Sequence, residues 1–428
     1  MDQNQLDHAY EMARERYGRV GVDVDRAVRT LESVPISLHC WQGDDVAGFE
    51  TPDAELAGGG LQVTGNYPGK ARNLDELRSD LLMAYSLIPG RHRLNLHAIY
   101  GDFGGVKIER DRIEPRFYRS WVDWARAHNL GIDFNATCFG HPLADSGYTL
   151  ASHDERIRTY WIEHVKRCRE ISAWIGQELG TPCIHNLWIP DGSKDTPVGR
   201  FQHRTALLQS LDGIFSTAFP PHCMKDAVES KLFGLGSESF VAGSHEFYLL
   251  WAQANRKMVC IDMGHFHPTE SVADKVSALL LFFDEMLVHV SRGVRWDSDH
   301  VVIVNDDLRA LMEEIVRAGA LARVHLALDY FDAELNRIGA WVIGARATLQ
   351  ALLIALLEPT DLLREHEAAG DFCGRLALLE EIKNLPFGPV WDSYCAKMGV
   401  PPGSEWLSQI RDYEKNVLSR RSARRAVG

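Results

Sequence analysis

The chain has 428 residues, 45% of them hydrophobic and 25% charged, a composition that supports a large packed core and excludes a disordered protein. A formal net charge of -13 repels polyanions and argues against nucleic acid as a partner. No apolar run approaches the roughly 20 residues of a membrane span, and MDQNQLDHAYEMARERYG lacks the basic-then-apolar pattern of a leader, so a cytoplasmic protein with no membrane contact is expected.

Residues 1–32 read as one helix leading into the first strand. Eight short, β-branched apolar segments follow, each succeeded by a stretch of helical periodicity. They are VPISLHCW (34–41), RLNLHAIY (93–100), LGIDFNATCF (130–139), CIHNLWIP (183–190), DAVESKLFG (226–234), MVCIDMGHF (258–266), MLVHVSR (286–292) and VHLALDYF (324–331). Between them, 75–88 places Leu77, Leu81, Leu82, Tyr85 and Leu87 or Ile88 near a 3.6-residue period, and 117–129, 156–180 and 271–283 are similarly amphipathic. Eightfold alternation predicts an α/β fold, a TIM (β/α)8 barrel with an N-terminal helix and a long helical C-terminal extension. No G-x-G-x-x-G follows the first strand, which removes the best marker of an open dinucleotide-binding sheet.

The barrel with its preceding helix is expected over 1–358 and the extension over 359–428. Leu376, Leu378, Leu379, Trp391 and Trp406 give the extension apolar surface that must pack on the barrel or on a neighbouring subunit, and an oligomer is expected. Residues 42–70 form a connection of the length that commonly serves as a lid. Its Gly58, Gly59 and Gly60 do not make a phosphate loop, because G-N-Y-P-G-K-A has the wrong spacing and lacks Ser or Thr after the Lys. The eight cysteines lie far apart without C-x-x-C, so neither a disulfide framework nor a thiolate zinc site is indicated and most of them read as buried small hydrophobes. The terminal cluster Arg420, Arg421, Arg424 and Arg425 reads as a solvated helix end.

Ionisable residues gather at the C-terminal ends of the last four segments, the barrel face that carries active sites. The fifth brings Glu229 and Lys231, two apart and so expected on one side of a strand. The sixth ends in Asp262 and His265, with Gly264 permitting a bend; the seventh carries His289 and then Asp297, Asp299 and His300; the eighth ends in Asp329 and Asp332. Taken singly, Asp299 or Asp329 could cap a helix and His289 could be a satisfied core histidine. Glu229, flanked by Ala, Val and Leu, needs a partner. Several carboxylates on one mouth repel unless cations neutralise them, and mixed carboxylate and imidazole ligands suit Mn²⁺, Mg²⁺, Co²⁺ or Zn²⁺.

The segments HCWQGDDV (39–46), GNYPGKARN (65–73), ESKLFG (229–234), GHFHPTE (264–270), RWDSDH (295–300) and GSEWL (403–407) resemble the bacterial L-rhamnose isomerase family, in order and over nearly the whole chain. The resemblance implies a homotetrameric barrel that interconverts L-rhamnose and L-rhamnulose with two divalent ions. By similarity, Glu229, Asp262, His289 and Asp329 hold a structural Mn²⁺, Zn²⁺, Co²⁺ or Mg²⁺, and His265, Asp297 and Asp299 hold the catalytic Mn²⁺. The same resemblance makes Trp188 and Trp41 apolar walls for the sugar and puts His97 near its ring oxygen and Lys231 near O1. It also implies that hydrogen passes as hydride between C2 and C1. As a mechanistic expectation, Asp297 serves both as ligand and as proton relay. A metal-dependent hydrolase, a sugar-binding barrel and an isomerase of another aldose are the rival readings.

Overall fold

The computed structural model describes residues 3–50 and 63–423; Gly58, Gly59 and Gly60 and the terminal Arg424 and Arg425 lie outside the described residues. Eight parallel strands close into a barrel in chain order: β1 (Pro35–His39), β2 (Arg91–His97), β3 (Gly131–Asn135), β4 (Cys183–Leu187), β5 (Met224–Glu229), β6 (Met258–Asp262), β7 (Met286–Val290) and β8 (Val324–Leu328), with β8 paired to β1. Strands β4, β6 and β7 are buried at every position, which is why their sequences are mostly apolar and do not alternate polar with apolar residues.

Each expected strand is present but ends earlier than the apolar run suggested, so His265, Asp297, Asp299 and Asp329 sit on loops at the mouth. After β6 the backbone leaves the ladder because Gly264 N donates to Asp262 Oδ1 at 2.6 Å, a side chain taking the place of a strand partner. Lys231 is corrected in the same way: β5 stops at Glu229, so Lys231 does not share a strand face with it.

The expected helices occupy Leu74–Tyr85, Arg119–Ala127, Glu155–Leu179 and Ala273–Leu280. Asn73 and Asp154 cap two of them by accepting from Glu76 N and Arg156 N. The single helix expected over 1–32 is instead a pair, Gln3–Gly18 and Val24–Ser33. Gly21 takes φ +80 between them, and Asp23 starts the second by accepting from Arg26 N. The one helix among the described residues that is long and apolar enough to cross a membrane, Arg337–Leu356, has 83% of that apolar window buried inside the fold and is a core helix.

The C-terminal extension packs on its own barrel: Trp391, Tyr394, Cys395, Ile410 and Leu418 join the same hydrophobic core as β1 to β8. Phe372 and Leu376 remain about 60% exposed. Arg421 is not solvated, contrary to the sequence reading. It is buried and grips both carboxylate oxygens of Asp80 at 2.7 and 2.8 Å, with Tyr413 Oη donating to Asp80 Oδ1 at 2.8 Å. Asp80 lies on the buried face of its helix and needs a cation there; breaking such a pair from one side costs about 3–5 kcal/mol.

Candidate active site

Barrel register brings the ionisable residues together. Asp262 pairs with His289 across β6 and β7, and Glu229 pairs with Cys260 across β5 and β6. Inward-facing Glu229, Asp262 and His289 are buried, while Asp329 is partly open to the mouth. One ligand atom from each of these residues lies within 4.8 Å of all the others. His289 Nδ1 is 3.3 Å from Glu229 Oε1 and 3.1 Å from Asp329 Oδ2. Asp262 Oδ1 accepts from Ser291 Oγ at 2.5 Å, and Trp41 Nε1 donates to Asp329 Oδ1 at 3.1 Å.

His265 Nε2 stands 3.1 Å from Asp297 Oδ2, and its Nδ1 lies 3.4 Å from Glu229 Oε1. Asp299 takes a left-handed φ of 46 on the same loop. Among the described residues His265, Asp297 and Asp299 do not gather three ligand atoms within 4.8 Å. A Cβ on Gly264 would meet Asp297 Oδ1 at 2.9 Å and Asp262 Oδ1 at 3.2 Å, so glycine lets the loop pass between the two carboxylates. His300 and Asp332 serve their loops instead: His300 Nδ1 meets Ser298 Oγ at 2.9 Å, and Asp332 Oδ1 accepts from Glu334 N at 2.9 Å.

A cleft of about 60 Å³ opens over these groups, with Trp41, His97, Phe139, Trp188 and Phe331 as its wall. His97 packs edge-on to Trp41 at 4.8 Å and to Phe139 at 5.3 Å, and its Nδ1 meets Thr137 Oγ1 at 3.1 Å. Lys231 Nζ donates to Pro190 O at 3.0 Å and lies 5.7 Å over the Trp188 ring, beside the cleft rather than in its wall. A larger cavity of about 380 Å³ lies at the opposite end of the barrel, around Ser37, Arg93 and His325. It holds none of the carboxylate and imidazole cluster, and the C-terminal mouth is where barrel chemistry resides.

Sequence reasoning missed Val46, Asn135, Asn186, Phe139 and Phe331, which also line the cleft. Asn186 Nδ2 donates to Glu229 Oε2 at 2.5 Å and so fixes the carboxylate from below. An asparagine inside the apolar run CIHNL was the available signal, since a buried amide needs partners.

The electrostatics suit a cation. Burial works to raise the Glu229 carboxyl, yet His289, His265 and Asn186 draw it down to about 2. Burial, with Glu229 and Asp329 nearby, pushes Asp262 up to about 7, and burial with Asp297 and Asp329 holds Asp299 well above the carboxylate range. Burial lowers the two imidazoles, but Asp262 and Asp297 around His265, and Cys260 and Glu229 around His289, carry both well above their ordinary value. Carboxylates this crowded favour binding of a proton or a cation. His265 Nδ1, His289 Nε2, Asp297 Oδ1 and Asn186 Oδ1 are buried without a hydrogen-bond partner, and this donor set fits a divalent ion.

A pH dependence follows. In the cation-free protein, the raised groups stabilise the fold fully below their unfolded values, about 3.8 for Asp and 6.5 for His, and this is lost as pH rises through the raised values, near 7 for Asp262. Glu229 acts oppositely, stabilising above about 4.5 and losing that as pH falls toward about 2. A cation competes with the protons on His265, His289, Asp262 and Asp299, so the rise in Tm on adding Mn²⁺ is expected to grow with pH, and excess Mn²⁺ to shift the acid loss of activity to lower pH. Thermal unfolding of chelated and Mn²⁺-loaded protein across pH checks this; a constant increment would contradict it.

A family model for L-rhamnose isomerase (RhaA) matches residues 4–421. The chain is 56% identical over 417 residues to an L-rhamnose isomerase of Rhodopirellula baltica, covering 97% of each chain. It is 54% identical over 418 residues to an L-rhamnose isomerase of Salmonella agona, covering 98% of this chain and 99% of the other. Among solved structures, an L-ribulose 3-epimerase is similar with TM-score 0.46 and 12% identity, over 78% of this chain and 97% of that one.

Proposed function

The chain belongs to the L-rhamnose isomerase family of aldose–ketose isomerases, and we propose that it interconverts L-rhamnose and L-rhamnulose at the C-terminal mouth of its barrel. The observation that carries this is the convergence of Glu229, Asp262, His289 and Asp329 within 4.8 Å beneath a cleft walled by Trp41 and Trp188. These residues would hold one divalent ion, for which Mn²⁺, Zn²⁺, Co²⁺ or Mg²⁺ suits the oxygen and nitrogen donors. His265, Asp297 and Asp299 hold a second, Mn²⁺, supported by the 3.1 Å contact of His265 with Asp297. When bound, the ions supply Lewis-acid polarisation of O1 and O2 and lower the pKa of a bound water.

The chain's own groups do the remaining work. Trp41, Phe139, Trp188 and Phe331 exclude water from the sugar and pack its apolar face. His97, pushed down to about 3 by burial, stays neutral and can hydrogen-bond near the ring oxygen. Lys231, lowered to about 8 by burial against the pull of Asp191 and Asp297, keeps its charge near pH 7 and steadies negative charge growing on O1. Asp297 takes the O2 proton and returns one to O1, oriented by His265. Hydrogen moves from C2 to C1 with its electron pair, C2 becomes the carbonyl and C1 the CH₂OH, so no external oxidant or reductant is consumed.

The resemblance extends the proposal to a cytoplasmic homotetramer, for which the exposed Phe372 and Leu376 offer apolar surface. The test is ketose formation from L-rhamnose, L-lyxose and D-xylose by chelator-stripped protein reloaded with Mn²⁺. Turnover restored by metal and strongest on L-rhamnose is expected, with a preference of only about 1–3 kcal/mol where one apolar contact distinguishes two sugars. A stronger response to another aldose would move the substrate assignment, and none from any aldose would overturn it.

A further inference from the structure

Met258 and Cys260 pack with Ile184, Ala227, Leu287 and Ala327 inside the barrel, and period-2 alternation puts Asp262 on the same side, so Cys260 lies one layer beneath the Asp262 carboxylate. Register sets Cys260 beside Glu229, just as it sets Asp262 beside His289. Glu229 and His289 therefore reach both layers. One ligand atom each from Glu229, Cys260 and His289 lies within 4.8 Å of the other two, and all three residues are buried. This group is distinct from the oxygen-rich group of Glu229, Asp262, His289 and Asp329, although it shares Glu229 and His289. Moreover, His289 uses Nδ1 toward Asp329 and Glu229, while its Nε2 is buried without a partner in a side chain only 2% exposed.

We propose that Glu229, Cys260 and His289 form a second, alternative metal site, selective for thiophilic divalent cations such as Cd²⁺, that excludes the hard cation from the layer above. Carboxylate oxygens favour Mn²⁺ and Mg²⁺, whereas a thiolate with imidazole favours softer ions. Because the two groups share Glu229 and His289, two dications there would stand next to each other and repel, so filling one site opposes filling the other. Binding at the deep site exchanges the Cys260 S–H proton, released to solvent, for an S–metal bond, with no change of oxidation state. The functional consequence is inhibition by soft metals through displacement rather than by attack on an exposed thiol. The exposed Cys373 is the natural contrast.

Chelator-stripped full-length protein is titrated with Cd²⁺, following the ultraviolet thiolate-to-cadmium charge-transfer band, with and without Mn²⁺. A saturating band that is lost in Cys260→Ser, kept in Cys373→Ser, and weakened by competing Mn²⁺ is expected. A band of equal size in Cys260→Ser, or one that Mn²⁺ does not weaken, would overturn the proposal. Should Cys260→Ser fail to fold, cadmium NMR of the wild-type protein decides: a sulfur-ligated resonance that disappears as Mn²⁺ is added supports the site, and a resonance with only oxygen and nitrogen ligands refutes it. The inference rests on Glu229 and His289 being metal ligands. That premise is read separately from Mn²⁺ binding to Glu229→Gln by electron paramagnetic resonance, so its failure is distinguishable from failure of the sulfur site.

Discussion

Asp297→Asn and Asp299→Ala are each expected to lower ketose formation from L-rhamnose by more than about 100-fold, beyond what loss of a supporting contact around a metal typically costs, while the protein stays folded. Among the described residues Asp297 Oδ2 meets His265 at 3.1 Å and Oδ1 is buried without a hydrogen bond, so the side chain holds no strand or helix in place. Its amide analogue keeps the shape but loses the charge that attracts a cation and the capacity to take a proton. Asp299 is held well above the carboxylate range by burial beside Asp297 and Asp329, crowding that a bound cation would relieve. Removing it relieves repulsion, set against about 1 kcal/mol for placing Ala at its left-handed φ of 46. Asp299→Asn avoids that strain and should be equally inactive. Steady-state rates with circular dichroism as the folding control check both positions, and a soluble variant with near wild-type activity removes that residue from the assignment.

The second large effect is expected at Glu229, the carboxylate that meets both imidazoles of the cluster. Its Oε1 meets both His265 and His289, and its Oε2 accepts from Asn186. Glu229→Gln preserves an acceptor for Asn186 but removes the anion that lies between the imidazoles. Divalent affinity should fall by at least about 100-fold, with loss of about 2.7 kcal/mol of metal-linked stability for each hundredfold. Calorimetric titration with Mn²⁺ and the Mn²⁺-induced change in Tm measure this. Unchanged affinity would mean that the ion lies elsewhere.

The barrel was legible because parallel strands covered on both faces leave mostly apolar runs without alternation, and β4, β6 and β7 are buried at every position. Their ends were not, because what stops β6 is a side chain, Asp262, accepting from Gly264 N, and hydropathy does not register such a bond. That carboxylates and imidazoles gather at the mouth was readable, since carboxylates are costly within apolar strands and Glu229 demanded partners. Asn186 escaped because one amide in a buried run is an unremarkable residue until its contact with Glu229 is seen. Phe139 and Phe331 escaped because an aromatic at a strand end has the same pattern whether it packs in the core or faces a sugar. Arg421 was misread because its partner Asp80 lies 341 residues earlier in the chain, and a basic terminus alone carries no sign of that buried pairing.

The most direct test uses L-rhamnose deuterated at C2, with chelator-stripped and Mn²⁺-reloaded protein in ordinary water, and locates the label in the ketose. The account predicts that turnover returns only with the metal and that deuterium is retained at C1 of L-rhamnulose, because hydrogen passes directly between the carbons. Label lost to water would contradict the hydride shift and point to a proton abstracted by a base, and turnover indifferent to chelation would contradict the role given to Glu229, Asp262, His289 and Asp329.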